Sequence, residues 1–165
     1  MIVVSDTSPL ISLMKASKLD VLRNLYGEIL IPEAVYEELT TNPHYDDEAD
    51  QIKVCPFIRK VSVKERKAVT ILQKVSGLDM GESEAIIYTE ENRADILLMD
   101  EDAGRRVAKS LGIRVRGTVG ILLLAYDKKL ISAEDVKATM EKLRNENRRI
   151  SNQLIQYAYD YVSEH

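Results

Sequence analysis

The sequence predicts an α/β fold in three layers, with helices on both faces of a mainly parallel central sheet. Two observations lead there. Ile2-Val3-Val4 and Ile96-Leu97-Leu98-Met99 are continuous apolar runs, the pattern of strands buried on both sides. Short runs of this kind alternate with segments of helical apolar spacing, which implies right-handed strand–helix–strand crossovers. Strand order does not follow from this pattern. A third observation concerns chemistry: Asp6, Glu38, Glu84 and Asp100 each stand at the edge of an apolar segment. Ligand sites of open α/β sheets lie outside the carboxyl ends of the strands, where Asp6 and Asp100 fall.

After the first strand, Thr7-Ser8-Pro9 reads as a helix start with Ser8 as N-cap and Pro9 at the first helical position, giving a helix over about 9–16. Ser17, three residues before Asp20, caps a second helix through Leu19, Leu22 and Leu25 to near Gly27. Residues 28–31 form a short strand, and Pro32 opens the helix that carries Glu38. Residues 42–50, with Pro43, His44 and four acids, read as a solvated loop or frayed helix. Alternation over 58–63 suggests an edge strand. Ala68, Ile71, Leu72 and Val75 mark a helix over 64–75, broken by Ser76-Gly77. A helix over 82–92, the strand 96–99, a helix over 103–111 closed by Gly112, and a strand over 113–115 follow. Three helices end the chain, over about 119–128, 133–145 and 152–162. No repeat or linker divides it, so one domain is expected over 1–165, with a helical extension from about 131.

At this length one good core is expected, and 45% hydrophobic with 30% charged residues is ordinary for a globular protein. The net charge of −4 disfavours a broad nonspecific nucleic-acid coat but not a basic rim around an acidic site. A single cysteine, Cys55, gives neither an internal disulfide nor a zinc spacing, and reads as a packed hydrophobe. The chain shows neither a signal peptide nor a membrane span, so a cytoplasmic protein is expected. His44 and His165 have no visible partners. Tyr157 and Tyr161, four apart on the last helix, suggest packing, within the chain or between subunits.

Four carboxylates without interleaved His or Cys suit Mg²⁺ or Mn²⁺ rather than zinc. Like charges held together are unfavourable without a cation, so metal binding should also stabilise the fold. Glu82 and Glu84 are separated by about 200° on a regular helix, so only one can face the common cleft, and periodicity does not choose between them. Asp102 is either a further acidic ligand or the cap of the helix at Ala103.

Five segments resemble the PIN domain, especially VapC-like prokaryotic sequences. They are Val3-Val4-Ser5-Asp6-Thr7-Ser8-Pro9-Leu10-Ile11, Ile31-Pro32-Glu33-Ala34-Val35-Tyr36-Glu37-Glu38-Leu39, Leu78-Asp79-Met80-Gly81-Glu82-Ser83-Glu84-Ala85-Ile86, the stretch from Leu97 to Ala108, and that from Gly112 to Leu122. Their order and spacing carry the resemblance, which covers about 1–130. It implies Asp6, Glu38, Glu84 and Asp100 as the catalytic and metal-holding set. Glu84 is favoured because Ala85-Ile86 follows it, leaving Glu82 to the helix dipole; Glu38 is favoured over Glu37 because Leu39 follows it. Thr7 or Ser8 would bond a metal ligand or water near Asp6.

The implied activity is metal-dependent hydrolysis of RNA, with Arg105 and Arg106 as candidates for the RNA backbone and Arg114 and Arg116 flanking the last strand. A homodimeric toxin checked by a small antitoxin is one setting, and a stand-alone nuclease is another. A non-catalytic PIN-fold module and a Mg²⁺-dependent phosphoaspartyl or phosphatase domain are the other classes. The segment after Asp6 lacks the Asp-x-Asp arrangement of one such phosphatase family.

Overall fold

A computed structural model describes residues 1–165. Its sheet has five parallel strands: β1 (Val3–Ser5), β2 (Ile29–Pro32), β3 (Ile58–Val61), β4 (Ile96–Leu98) and β5 (Val115–Arg116). Their spatial order is β3-β2-β1-β4-β5. The chain therefore builds outward from β1 on one side, then returns to β4 on the other. Such a reversal opens a crevice at the strand ends, and here it lies between β1 and β4, whose register pairs Val3 with Ile96 and Ser5 with Leu98.

Ten helices cover the sheet: α1 (Thr7–Lys15), α2 (Asp20–Tyr26), α3 (Glu33–Thr41), α4 (Asp46–Val54), α5 (Arg66–Ser76), α6 (Met80–Asn92), α7 (Asp102–Ser110), α8 (Thr118–Asp127), α9 (Ala133–Asn145) and α10 (Asn152–Glu164). The pleat sends alternate strand residues to opposite faces. Val3, Ile29, Ile31 and Leu98 join a 26-residue cluster with α1, α2 and α8–α10. Val4, Leu30, Leu97 and Met99 join a second cluster with residues of α6 and α7. The C-terminal helices are part of the main core, through Val136, Met140, Leu143, Ile155, Ala158 and Val162.

Several local expectations are corrected. The first helix starts at Thr7, so Asp6 rather than Ser8 occupies the N-cap position, and its side chain makes no capping bond. The second helix is preceded by Leu19 as its cap residue, while Ser17 sits at φ 57°. Residues 42–50 take the helical one of their two expected forms: a 3-10 turn over Pro43–Tyr45 leads into α4. Three acids in the first turn of α4 suit a helix N-terminus, and Ala49 and Ile52 are buried. Glu48 is also buried there, paired with Lys15 at 2.9 Å. Asp102 is the first residue of α7, and Glu101 takes the cap position.

Candidate active site

Asp6 leaves β1 beside β4, and its backbone N–H extends the ladder by donating to the Leu98 carbonyl at 2.9 Å. Asp100 follows β4 by two residues. Its carboxylate accepts three bonds: Thr118 N–H to Oδ1 at 2.7 Å, Thr118 Oγ1–H to Oδ2 at 2.7 Å, and Ser8 Oγ–H to Oδ2 at 3.2 Å. The turn into α8 passes close to this carboxylate. A Cβ on Gly117 would lie 2.9 Å from both Asp100 Oδ1 and Arg105 Nη1, so any larger residue there would push the carboxylate or the guanidinium aside. Glu38 reaches in from α3 and accepts from Thr7 Oγ1 at 2.9 Å. Thus Thr7 and Ser8 each hold an acid of the expected set.

α6 contributes its first turn. Asp79 and Glu82 form a reciprocal capping box: Glu82 N–H donates to Asp79 Oδ1 at 2.7 Å, and Asp79 N–H to Glu82 Oε1 at 3.1 Å. Asp6, Glu38, Asp79, Glu82, Asp100, Glu101 and Asp102 line one cleft of about 700 Å³. Its other wall is the turn between α9 and α10, which brings Asn147, Arg148, Arg149 and Ile150.

Glu84 does not line this cleft. Its Oε1 accepts from the Ala34 N–H at 2.9 Å and its Oε2 from Arg66 Nη1 at 2.7 Å, with the side chain only 5% exposed. The half-turn between Glu82 and Glu84 explains the division: one carboxylate faces the cleft, and the other satisfies an early amide of α3. The motif position points to Glu84; the geometry brings Glu82 to Asp6, Glu38 and Asp100.

The arginines also fall differently. Arg105 donates through Nη1 to the Met99 carbonyl at 2.9 Å and lines a neighbouring cleft, whereas Arg106 is exposed and lines neither cavity. Arg148, from outside every motif, binds Ser12 Oγ at 3.0 Å and Ser8 Oγ at 2.9 Å, which links it to Asp100 through Ser8. Nothing in local spacing marks Arg148 or Arg149. The Asp-x-x-Glu of Asp79 and Glu82 was the one signal available for the first turn of α6.

Burial raises the Asp6 carboxyl well above its usual range; the Thr7 amide opposes this, and Asp79, Glu82 and Glu38 add to it. Burial likewise pushes Glu82 up, from 4.5 to about 7, against the Asp79 amide and helped by the Asp79 and Glu101 charges. Both groups bind protons more tightly folded than unfolded, so their contribution to stability is greatest at acid pH and falls as pH rises, for Glu82 through about 7. Cation-free protein should therefore lose thermal stability from pH 4.5 to pH 7, less steeply in Glu82→Gln. Equal slopes in the two proteins, followed by calorimetry in chelator, would reject this account of Glu82.

A family model described as PIN domain matches residues 2–164. The chain belongs to the PIN-domain family. Members of this family are typically metal-dependent nucleases. The match runs through α9 and α10, well past residue 130 where the recognisable motifs end, so the turn bearing Arg148 and Arg149 lies inside the PIN-domain pattern. No curated protein and no solved structure matches the chain.

The donor chemistry of this PIN domain fits a hard divalent cation, since its cleft offers carboxylate and hydroxyl oxygens and neither His nor Cys. Asp6, Glu38, Glu82 and Asp100 take part in none of the protein's ion pairs. None of them is directly paired with a cation, and Arg148, in the same cleft, reaches Asp100 only through Ser8. No three acidic side chains form a preformed coordination shell, so holding an ion would require these side chains to draw inward. No helix is long and apolar enough to cross a membrane.

Proposed function

We propose that this PIN domain is a Mg²⁺- or Mn²⁺-dependent endoribonuclease. The observation that supports this most is the meeting of Asp6, Glu38, Glu82 and Asp100, from four separate elements, in one cleft at the reversal of strand order. Asp6 and Asp100 are assigned as direct ligands, with Glu38 and Glu82 orienting the attacking water and accepting its proton. Glu84, the third acid by motif position, is assigned to holding α3 and α5 to α6. A bound divalent ion would lower the pKa of a water and neutralise charge on the phosphate. Thr7 and Ser8 keep Glu38 and Asp100 aimed inward, and Thr118 fixes Asp100 by two bonds.

The choice of RNA rests on the resemblance to VapC-like sequences. That resemblance also supports a cytoplasmic homodimeric toxin restrained by a small antitoxin. A phosphoaspartyl enzyme requires a lysine beside its aspartate, and no lysine lines the cleft.

Purified protein incubated with defined RNA and DNA strands should cut RNA internally with Mg²⁺ or Mn²⁺ and stop on chelation. Asp100→Asn should be inactive under every condition. Cleavage by that variant at the parent's rate would place the activity elsewhere. Induced expression that leaves growth unchanged would remove the toxin assignment without touching the nuclease.

A further inference from the structure

We propose that a second cleft, across the α9–α10 turn from the acids, is the track for a single-stranded polynucleotide, with Tyr157 as a platform for one base. This rests on the nuclease reading above and adds a binding site to it. The second cleft is also about 700 Å³, and it shares Asp100, Asp102, Arg149, Ile150 and Leu154 with the acidic one. The two are therefore continuous around one turn of chain. Their balance of charge differs: the second sets Arg105, Lys109, Arg116 and Arg149, drawn from α7, β5 and the turn, against Asp100, Asp102 and Asp127, whereas the first sets seven acids against Arg148 and Arg149.

None of these four cations takes part in an ion pair. Arg105 and Arg116 each commit one nitrogen to a neutral oxygen, of Met99 and Tyr26, at 2.9 and 2.8 Å. Those bonds fix the side chains without pairing them to a carboxylate. Tyr161 is already engaged, stacked on His165 at 4.3 Å and bonded to Asp127. Tyr157, beside it at 6.2 Å, is 56% exposed. Cations along a groove with a free aromatic face suit a single strand, whose phosphates meet the cations while an unstacked base covers the ring. The carboxylates next door would repel further phosphates, so the strand runs along the basic side and presents one phosphodiester to the acids.

Binding separates this proposal from cleavage. In an Asp6→Asn background, the affinity of the full-length protein for a labelled single-stranded oligoribonucleotide is followed by fluorescence anisotropy across a salt series. Adding Lys109→Ala and Arg149→Ala should weaken binding and reduce the salt slope by about 1.4, roughly 0.7 for each phosphate that is no longer neutralised. Tyr157→Ala should weaken binding roughly 5- to 150-fold with the slope kept. These side chains lie at the surface, and unchanged melting would verify each variant's fold. Unaltered affinity and slope would overturn the track while leaving a cleaving parent still a nuclease. A loss that follows a change from dimer to monomer in sedimentation would overturn it too, assigning Tyr157 and Leu154 to contact with a second copy. If binding behaves as stated but the parent cuts nothing, the nuclease reading fails alone.

Discussion

An Asp6→Asn protein is expected to lose RNA hydrolysis and yet melt at a higher temperature than the parent when both are freed of divalent cations. The two effects share one cause. Asp6 is 4% exposed, its carboxyl is raised by burial, and the charges acting on it, from Asp79, Glu82 and Glu38, are all negative. Asparagine keeps the shape and removes the charge, so folding no longer confines that repulsion. Each kcal/mol relieved should raise the melting temperature by about 2–4 °C in a chain of this size. The same change removes an anionic ligand, and losing several kcal/mol of transition-state stabilisation lowers the rate by roughly a thousandfold or more. Calorimetry at pH 8 in chelator and a cleavage assay with Mn²⁺ check the two halves. A variant that melts lower, or cuts as fast as the parent, would count against the acidic cleft as the working site.

Glu84→Gln and Glu82→Gln are expected to behave as opposites. Glu84 holds the Ala34 amide and the Arg66 guanidinium; weakening charge-assisted bonds to a buried acceptor costs about 1–3 kcal/mol. Arg66 is half exposed, so water can take over its share, which favours the lower part of that range. Residual activity of correctly folded Glu84→Gln should stay near the parent's. Glu82→Gln should instead preserve or raise stability near neutral pH and lose cleavage, because its carboxyl lines the cleft and is pushed up to about 7 by burial and neighbouring acids. A thermal melt and a single-turnover assay on both variants suffice. The reverse pattern, Glu84→Gln stable but inactive, would restore the assignment that the motif spacing suggests.

These two glutamates also show what sequence could and could not convey. The layers and the parallel sheet followed from apolar runs and from their alternation with helical segments. Asp6 and Asp100 followed as well, since strand ends in such sheets have a known destination. The choice between Glu82 and Glu84 depended on how α6 is rotated against α3, and packing decides that rotation. Residues 42–50 were partly legible: the frayed-helix alternative holds and most of the segment faces solvent as its charge suggests, but Glu48 turns inward to Lys15 and Ala49 is buried, contacts that no local pattern encodes. Arg148 was invisible because its partners stand far away in sequence, and no local period encodes such a meeting.

The bond from Arg148 to Ser8 spans 140 residues, and the helix after it seals the main core through Ile155, Ala158 and Val162. During synthesis every acid of the cleft emerges before the wall that faces them. A chain interrupted before α9 would thus carry the acids without their arginine counterpart or a closed interior. Closure of the cleft in this PIN domain therefore waits for α9 and α10, the elements that carry its facing wall.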